Sequence, residues 1–236
     1  RCAPFCCSPW GVPTYLVSRD GGETWSESRN LGDQRGRIYD ARIIQDEILV
    51  LQSCNPNFEG RDPLNHYALY GSRDGGGTFE LKSILPLDIR GRGYGSLAEL
   101  PDGRLIVYVY NLYQERYPDT LISDDGGHTW GAPGRAFLAK SIRNPQIARV
   151  GGSYIMHGRS GQLGPCYALV LYTSDDGIHW DEGTYLRMPV EGGFGYACFY
   201  SNNVVLDDHR VLIQFSDAYA GARVNIRHLT VGVPRA

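Results

Sequence analysis

The stretch SRDGGETW at residues 18–25 decides the fold, because it returns as SRDGGGTF at 72–79, SDDGGHTW at 123–130 and, shortened, SDDGIHW at 174–180. The four copies begin 54, 51 and 51 residues apart. A fixed period of about fifty residues is typical of repeat architectures, in which each unit buries its apolar face against its neighbours. Within each copy the aspartate can accept hydrogen bonds from turn amides, glycine permits a positive φ, and the closing aromatic ring can fill a gap between sheets.

Strand patterns separated by turn signals fill the spaces between the four boxes. In the third unit, short alternating runs cover 94–100, 104–110 and 120–123, and a fourth strand follows Trp130. Each unit is therefore predicted to be a four-stranded antiparallel blade. Half a unit, three full units and a three-strand unit predict a single all-β domain over 1–236, a β-propeller with five blades; an incomplete six-bladed ring is the alternative. Before the first box we expect one strand, at 15–18, after an irregular cysteine-rich lead.

The composition narrows the possible partners. The 236 residues carry a formal net charge of −3, so no basic excess points to nucleic acid as a partner. No run approaches the ~20 apolar residues of a membrane span, and no N-terminal signal segment is recognised. The six cysteines, at 2, 6, 7, 54, 166 and 198, fit no zinc template and indicate either a disulfide framework in a secreted protein or scattered buried thiols. We expect no metal and no cofactor, and the oligomeric state stays open.

Two arginine-bearing segments precede the predicted innermost strands of successive units. They read DQRGRIY at 33–39 and DIRGRGY at 88–94, and the fourth unit brings Arg143 and Asn144 to the corresponding place. Arginines at equivalent points of a propeller converge near its axis, and a guanidinium fork suits a carboxylate or sulfate. We therefore predict that Arg37, Arg92 and Arg143, with Tyr94 and Asn144, bind an acidic sugar. The alternative is that arginines such as Arg35 and Arg90 pair with Asp33 and Asp88.

The box pattern resembles the Asp-box of the sialidase (neuraminidase) superfamily, and this resemblance implies a propeller whose ligand funnel lies opposite the boxes. Two further segments are similar to that family. Arg159, in HGRS at 157–160, corresponds to an arginine of the family's carboxylate-binding triad. Tyr200, in FYS at 199–201, corresponds to the tyrosine nucleophile, which in that family attacks the anomeric carbon after a neighbouring carboxylate ionises it.

Three catalytic parts of the family are missing where the resemblance places them. The activating glutamate would fall near Tyr94, but the next carboxylate, Glu99, lies farther along the strand. Tyr110-Asn111 stands where a second triad arginine is expected, and residues 1–17 contain neither the Arg-Ile-Pro step nor the acid aspartate.

Other carboxylates can be proposed for bond cleavage. Glycoside hydrolysis needs a protonated donor together with a base or nucleophile. Asp40 and Asp217 are candidates, because the one opens an innermost strand and the other follows the second strand of the last unit. The competing interpretations are a strand cap for Asp40 and a solvated loop acid for Asp217. His157 is either a proton shuttle or, by the commoner pattern, a core histidine with satisfied hydrogen bonds.

Three functions follow from these residues. The first is a sialidase-like glycoside hydrolase acting on a carbohydrate, with Tyr200, Asp40 or Asp217 performing the bond chemistry. The second is a five-bladed glycosidase of another specificity that uses paired carboxylates. The third is a glycan-binding propeller without catalysis. Under all three, aromatic rings are expected to line the funnel; the candidates are the tyrosines at 39, 94, 110, 113, 117, 196, 200 and 219.

Overall fold

The structure of the protein is a computed structural model that describes the backbone of residues 2–5 and the full residues 11–54, 65–161, 168–186, 200–217 and 225–233. Every regular element in these ranges is a β-strand. None of them is a helix of the length and apolarity that crossing a membrane requires. The predicted all-β class is confirmed.

The strands form five antiparallel sheets that follow one another along the chain. The first contains β1 (Cys2–Phe5), β2 (Thr14–Val17) and β3 (Arg29–Asn30). The second contains β4 (Gly36–Ile44), β5 (Glu47–Cys54), β6 (His66–Ser72) and β7 (Glu80–Ile84). The third contains β8 (Arg92–Glu99), β9 (Leu105–Asn111), β10 (Asp119–Ser123) and β11 (Gly134–Arg135).

The last two sheets complete the described chain. The fourth contains β12 (Arg143–Val150), β13 (Ser153–Ser160), β14 (Ala168–Ser174) and β15 (Thr184–Leu186). The fifth contains β16 (Ser201–Asp207), β17 (Arg210–Asp217) and β18 (Asn225–Gly232). Each sheet is a simple meander in which sequential strands pair, as the repeat pattern predicts.

The first strand of each later sheet lies innermost. β4 contacts β8, β8 contacts β12, and β12 contacts β16. Four apolar clusters fill the spaces between successive sheets, centred on residues such as Tyr15, Leu69, Tyr108 and Phe215. Each of these buried side chains contributes roughly 1.5–3 kcal/mol. Sheets that pack face to face around their first strands make a propeller, so the predicted β-propeller class is confirmed.

The boxes form the turns between the last two strands of each of the first four sheets, at the end of the blade away from the start of its inner strand. In the second sheet Ser72 Oγ donates to Asp74 Oδ1 at 2.8 Å and accepts from Gly76 N at 2.9 Å. Thr78 donates its backbone N–H and its hydroxyl to the same carboxylate. These bonds lower the pKa of Asp74, chiefly through Thr78 and Ser72. The boxes therefore work as scaffold, as the sequence predicts.

The box glycines and aromatic rings serve the packing between blades. Gly127 has φ +92°, and a Cβ there would lie 2.4 Å from Leu69 Cδ2 of the preceding sheet. Trp130 packs against the same apolar cluster and donates from Nε1 to Ser83 Oγ at 2.9 Å. One prediction is wrong: residues 2–5 of the expected irregular lead form β1. Its pairing with β2 supplies partners for backbone groups that an exposed edge would leave open.

Candidate functional site

The N-terminal ends of β4, β8, β12 and β16 lie on one side of the molecule, which we call the funnel face. Three of these strands carry a β-bulge there. The ladder shifts between Ile38 and Asp40, between Gly93 and Gly95, and between Arg143 and Gln146. Because a bulge re-aims the extra residue, Tyr39, Tyr94 and Asn144 come to equivalent places on successive blades. The bulges also let pairing continue outward, so these strands begin before the predicted 40, 94 and 145.

The backbone at two of these bulges is strained. Tyr94 has φ +39° and Asn144 has φ +55°, a region that costs a non-glycine residue about 1–2 kcal/mol. Gly158 on β13 makes room for the β12 bulge, because a Cβ on it would lie 2.6 Å from the carbonyl oxygen of Arg143. Strain of this kind concentrates at functional sites, so the bulges mark this face as a candidate site.

Three tyrosines meet at the centre of the funnel face. The ring centroids of Tyr39 and Tyr94 lie 4.9 Å apart, and those of Tyr94 and Tyr200 lie 5.8 Å apart. They border a cavity of about 190 Å³, which we call the tyrosine cavity; Ile38, Asn144, Gln146, Ser201 and Asn202 complete its lining. Stacked aromatic faces beside amide and hydroxyl groups suit the apolar faces and hydroxyl edges of a sugar ring.

Two predicted arginines flank these rings. The guanidinium carbon of Arg159 lies 5.2 Å from the ring centroid of Tyr200, within the range of a cation–π contact. Burial, then the neighbouring Tyr200, raises the pKa of Tyr94, while Arg37 acts in the opposite direction. The Tyr94 phenol is thus neutral near pH 7 and can donate a hydrogen bond. Among the residues described, Arg37 has no carboxylate within ion-pair distance.

The other two predicted arginines are paired with carboxylates. Arg92 Nε donates to Asp119 Oδ2 at 2.8 Å, and Asp119 is almost fully buried. Arg143 Nε lies 3.1 Å from Glu115 Oε1 and donates to Tyr110 Oη at 2.8 Å. Burial, then Glu115, raises the pKa of Tyr110 to about 12. Much of the positive charge of these two arginines is therefore already compensated within the protein.

Sequence reasoning missed both acidic partners, although each carried a signal. Glu115 follows the second strand of the third unit, the same kind of loop that led to Arg159 and Asp217. Asp119 begins β10, four residues before Ser123 of the third box. The second unit has Ala68 at the corresponding position, so the aspartate is a departure from the repeat. The predicted alternative of local pairing holds for Arg90, whose Nη2 lies 2.7 Å from Asp88 Oδ2.

Asp40 lies at the bottom of the funnel, buried between the inner strands. Its Oδ1 accepts from Ala41 N at 2.9 Å, and its Oδ2 accepts from Ser96 Oγ at 2.8 Å and Leu97 N at 2.9 Å. Arg42 Nε forms an ion pair with it at 2.9 Å. Both oxygens are thus fully engaged, which supports a role in joining β4 to β8.

A second chain of hydrogen bonds continues from Arg42 to the other inner strands. Arg42 Nη1 donates to Asn203 Oδ1 at 3.0 Å, and the Asn203 amide donates to His157 Nε2 at 2.9 Å. His157 must then carry its proton on Nδ1, from which it donates to Ser201 Oγ at 2.9 Å. Burial lowers the pKa of His157 to about 3, with Arg42 adding to the effect. Of the two interpretations of His157, the structure therefore supports a core histidine with satisfied hydrogen bonds and not a proton shuttle.

Asp217 ends β17 on the funnel face. Its carboxylate is completely buried and lies 3.2 Å from Arg227 Nε of β18, so the interpretation as a solvated loop acid is wrong. The charge pair explains the burial, because an isolated carboxylate would be too costly there. Within the part of the chain that is described, no three His, Cys, Asp or Glu side chains come together as metal ligands.

The remaining predicted residues divide into three groups. Tyr113 is exposed at the rim, and Tyr117 packs against Phe137 instead of the tyrosine cavity. Cys54 is a buried free thiol whose pKa burial raises to about 12. Outside the described residues lie Tyr196, Tyr219 and the side chains of Cys2, Cys6, Cys7, Cys166 and Cys198, and with them the predicted disulfide framework.

Solved structures of known proteins share this fold at low sequence identity. A protein of unknown function from Dyadobacter fermentans matches with a TM-score of 0.69 and 17% identity over 94% of this chain and 64% of its own. The NanB sialidase from Streptococcus pneumoniae matches with a TM-score of 0.66 and 14% identity over 93% of this chain and 35% of its own. A GH43 endo-arabinanase from Bacillus licheniformis matches with a TM-score of 0.57 and 10% identity over 97% and 88%.

These matches establish the fold, and the chain spans less than two thirds of the length of the first two proteins. No protein of curated function is significantly similar to it in sequence. The family model of the BNR/Asp-box repeat matches residues 16–27, and that of the BNR repeat-like domain matches residues 38–194, more than half of the chain. The predicted sialidase-like Asp-box propeller is therefore confirmed, and the chain belongs to the family of BNR repeat-like domains.

Proposed function

We propose that this propeller is a glycoside hydrolase that binds a sugar in the tyrosine cavity. The observation that carries the proposal is the meeting of Tyr39, Tyr94 and Tyr200 around a cavity on the strained bulges of the inner strands. Support for hydrolysis comes from the similar folds, since two of the proteins described above are named as a sialidase and an endo-arabinanase. Fold alone does not carry chemistry, so the residues of the cavity must.

We further propose that the sugar is acidic and that Arg37 and Arg159 hold its carboxylate. Arg159 lies against Tyr200, and Arg37 is close enough to Tyr94 to influence its pKa. Arg92 and Arg143 then have the different task of fixing β10 and the 111–118 loop through Asp119 and Glu115. The ring of four arginines expected from the sequence is reduced to two that face the ligand.

Tyr200 is the proposed nucleophile. It immediately precedes the last inner strand, β16, and its backbone N–H donates to Ser216 Oγ at 3.1 Å. Attack by its oxygen on the anomeric carbon would form a glycosyl–tyrosine bond as the glycosidic bond breaks, and water would then release the sugar. The phenol proton must pass to a base at the moment of attack, and the oxygen of the departing group must take up a proton from an acid or from water as the glycosidic bond breaks.

Binding without cleavage is the second candidate, and one observation favours it. Among the described residues no carboxylate hydrogen-bonds to Tyr200, and Asp40 is held by Ala41, Ser96 and Leu97 in the buried network. A tyrosine without an acceptor for its proton is a poor nucleophile, although its ring can still stack on a sugar.

One experiment separates these candidates. The protein is incubated with chromogenic sialosides, arabinosides and uronides, and its binding is measured in parallel on a glycan array. Under the proposal an acidic glycoside is cleaved, Tyr200→Phe abolishes turnover, and Tyr113→Phe, an exposed tyrosine at the rim, behaves as wild type. Binding of acidic glycans without cleavage of any substrate establishes the second candidate. Failure to bind any acidic glycan refutes the carboxylate-holding role of Arg37 and Arg159.

Two properties of the scaffold belong to the same proposal. We propose that the five sheets are the blades of a five-bladed ring, supported by their succession along the chain and by the hydrogen bond of Arg42 to Asn203 between β4 and β16. We also propose secretion, for which the cysteine content is the only support. Mapping the disulfides by mass spectrometry under non-reducing conditions tests the second property.

A further inference from the structure

The β12 bulge places one amide side chain in the tyrosine cavity without a partner. Asn144 lines the cavity and is 4% exposed, and it holds φ +55° immediately before Pro145. Its Nδ2 is buried and makes no hydrogen bond in the described structure. Buried donors are nearly always paired, so an orphan of this kind requires an explanation.

Asn111 gives a direct comparison in the same protein. It is also 4% exposed and also lies near the funnel face, at the end of β9. Its Nδ2 donates to Asp119 Oδ2 at 3.0 Å, and its Oδ1 accepts from Tyr113 N at 3.0 Å. Both the Nδ2 and the Oδ1 of Asn111 are thus hydrogen-bonded, whereas the Nδ2 of Asn144 has no partner among the described residues.

The surroundings of Asn144 restrict what that partner can be. The tyrosine cavity is walled by the rings of Tyr39, Tyr94 and Tyr200, so a ligand in it is flanked by aromatic faces. The backbone nitrogen of Pro145 carries no hydrogen, and the Gln146 amide already donates to the carbonyl oxygens of Tyr39 and Pro145, so the Asn144 side chain is the donor still open to a ligand here. A donor in an aromatic cavity fits an oxygen acceptor carried on a ring-shaped ligand.

We propose that Asn144 is a specificity-determining residue whose Nδ2 donates a hydrogen bond to an acceptor oxygen of the bound sugar. This inference rests on the proposed function, because it takes the ligand of the tyrosine cavity to be a sugar. The proposed hydrogen bond also explains the strained β12 bulge, because the positive φ of Asn144 directs its amide into the cavity at a cost to stability. A ligand lacking an acceptor at that point leaves the buried donor unpaired and is rejected.

The test combines folding and binding measurements on two variants. Asn144→Gly removes the amide but accepts the positive φ, and Asn111→Ala removes a satisfied amide from an extended strand. We expect Asn144→Gly to leave Tm unchanged or to raise it, and Asn111→Ala to lower Tm by about 4 °C or more, the value typical for losing a pair of buried hydrogen bonds at this chain length. A loss of Tm in Asn144→Gly equal to that in Asn111→Ala overturns the proposal, since Asn144 is then structural.

Binding is measured by titrating N-acetylneuraminic acid and L-arabinose separately into the wild type and into each variant. We expect at least one sugar to bind the wild type, and Asn144→Gly to weaken it about tenfold or more. Asn144→Asp keeps the size but replaces the donor by a carboxylate, so it must weaken the acidic sugar more than Asn144→Gly does. Wild-type binding with unchanged affinity in Asn144→Gly overturns the role of Asn144 alone. A wild type that binds neither sugar overturns the proposed function together with it.

Discussion

Replacing Asp40 by Asn distinguishes a structural carboxylate from a catalytic one. In the folded protein this carboxylate accepts hydrogen bonds from Ser96 Oγ and the backbone N–H groups of Ala41 and Leu97, and it pairs with Arg42. The amide removes the negative charge and turns one oxygen into a donor that faces other donors. Breaking a buried ion pair by neutralising one partner costs about 3–5 kcal/mol. For a chain of this length the expected fall in Tm is roughly 6–20 °C.

The chain offers a matched control in Asp88→Asn. Asp88 also pairs with the arginine two residues ahead of it, Arg90, but both side chains are more than half exposed. An exposed ion pair is worth about 0–1 kcal/mol, so Tm should hardly change. Thermal unfolding followed by circular dichroism compares both variants with the wild type, and any glycosidase activity is measured at a temperature where all three are folded.

The two roles of Asp40 predict opposite patterns. A structural carboxylate gives a large loss of Tm in Asp40→Asn, and the folded fraction keeps the turnover of the wild type. If Asp40→Asn matches Asp88→Asn in Tm and yet loses all turnover, the structural interpretation is refuted. Asp40 would then have to release its four partners during the reaction.

Three other experiments test separate parts of the fold. Asp125→Ala should lower Tm more than Asp20→Ala, because the box of Asp125 holds the packed Trp130 whereas the corresponding ring of the first box is 46% exposed; thermal unfolding measures both. Since burial lowers the pKa of His157 to about 3, the unfolded chain takes up a proton below about pH 6.5 that the folded chain refuses, so stability is lost as pH falls. His157→Gln should therefore flatten the dependence of Tm on pH between 6.5 and 4.5, and an unchanged slope would contradict this. Cys54, whose thiol pKa burial raises to about 12, should resist alkylation at pH 8 until the protein unfolds, as peptide mapping will show.

The fold was readable from the sequence because local signals and packing agree in every repeat. The box at 72–79 contains its own hydrogen-bond partners, so its turn is specified within eight residues. The strand that leads into the third box was predicted at 120–123, and β10 (Asp119–Ser123) agrees with it to within one residue. Bulges carry no such signal, because Arg37-Ile-Tyr39 and Arg92-Gly-Tyr94 resemble loop sequence. The strands consequently start earlier than predicted.

The candidate site was readable only in part, because it is assembled from neighbouring blades. Tyr94 and Asn144 were predicted from their positions at the start of innermost strands, and Arg159 and Tyr200 from the resemblance to the sialidase superfamily. Whether the Asp40 carboxylate is available for chemistry depends on β8, because Ser96 and Leu97 of that neighbouring blade donate hydrogen bonds to its Oδ2. The spacing of residues within one repeat cannot predict a contact between two blades.

Arginines at equivalent positions of two repeats can differ in whether an acidic side chain pairs with them. Arg37 and Arg92 occupy the same place in the two RGR segments, but only Arg92 has an aspartate at the start of the third strand of its blade, where Arg37 has Ala68. The buried Asp119 makes Arg92 a fixed support, whereas no acid of the described residues pairs with Arg37, whose charge we propose is kept for a ligand. Two single substitutions test this difference. Ala68→Asp should weaken the binding of an acidic sugar, measured by titration, by pairing with Arg37, and it should also lower Tm because Ala68 is buried in an apolar cluster. Asp119→Ala should lower Tm first, because it leaves Arg92 unpaired in a largely buried place.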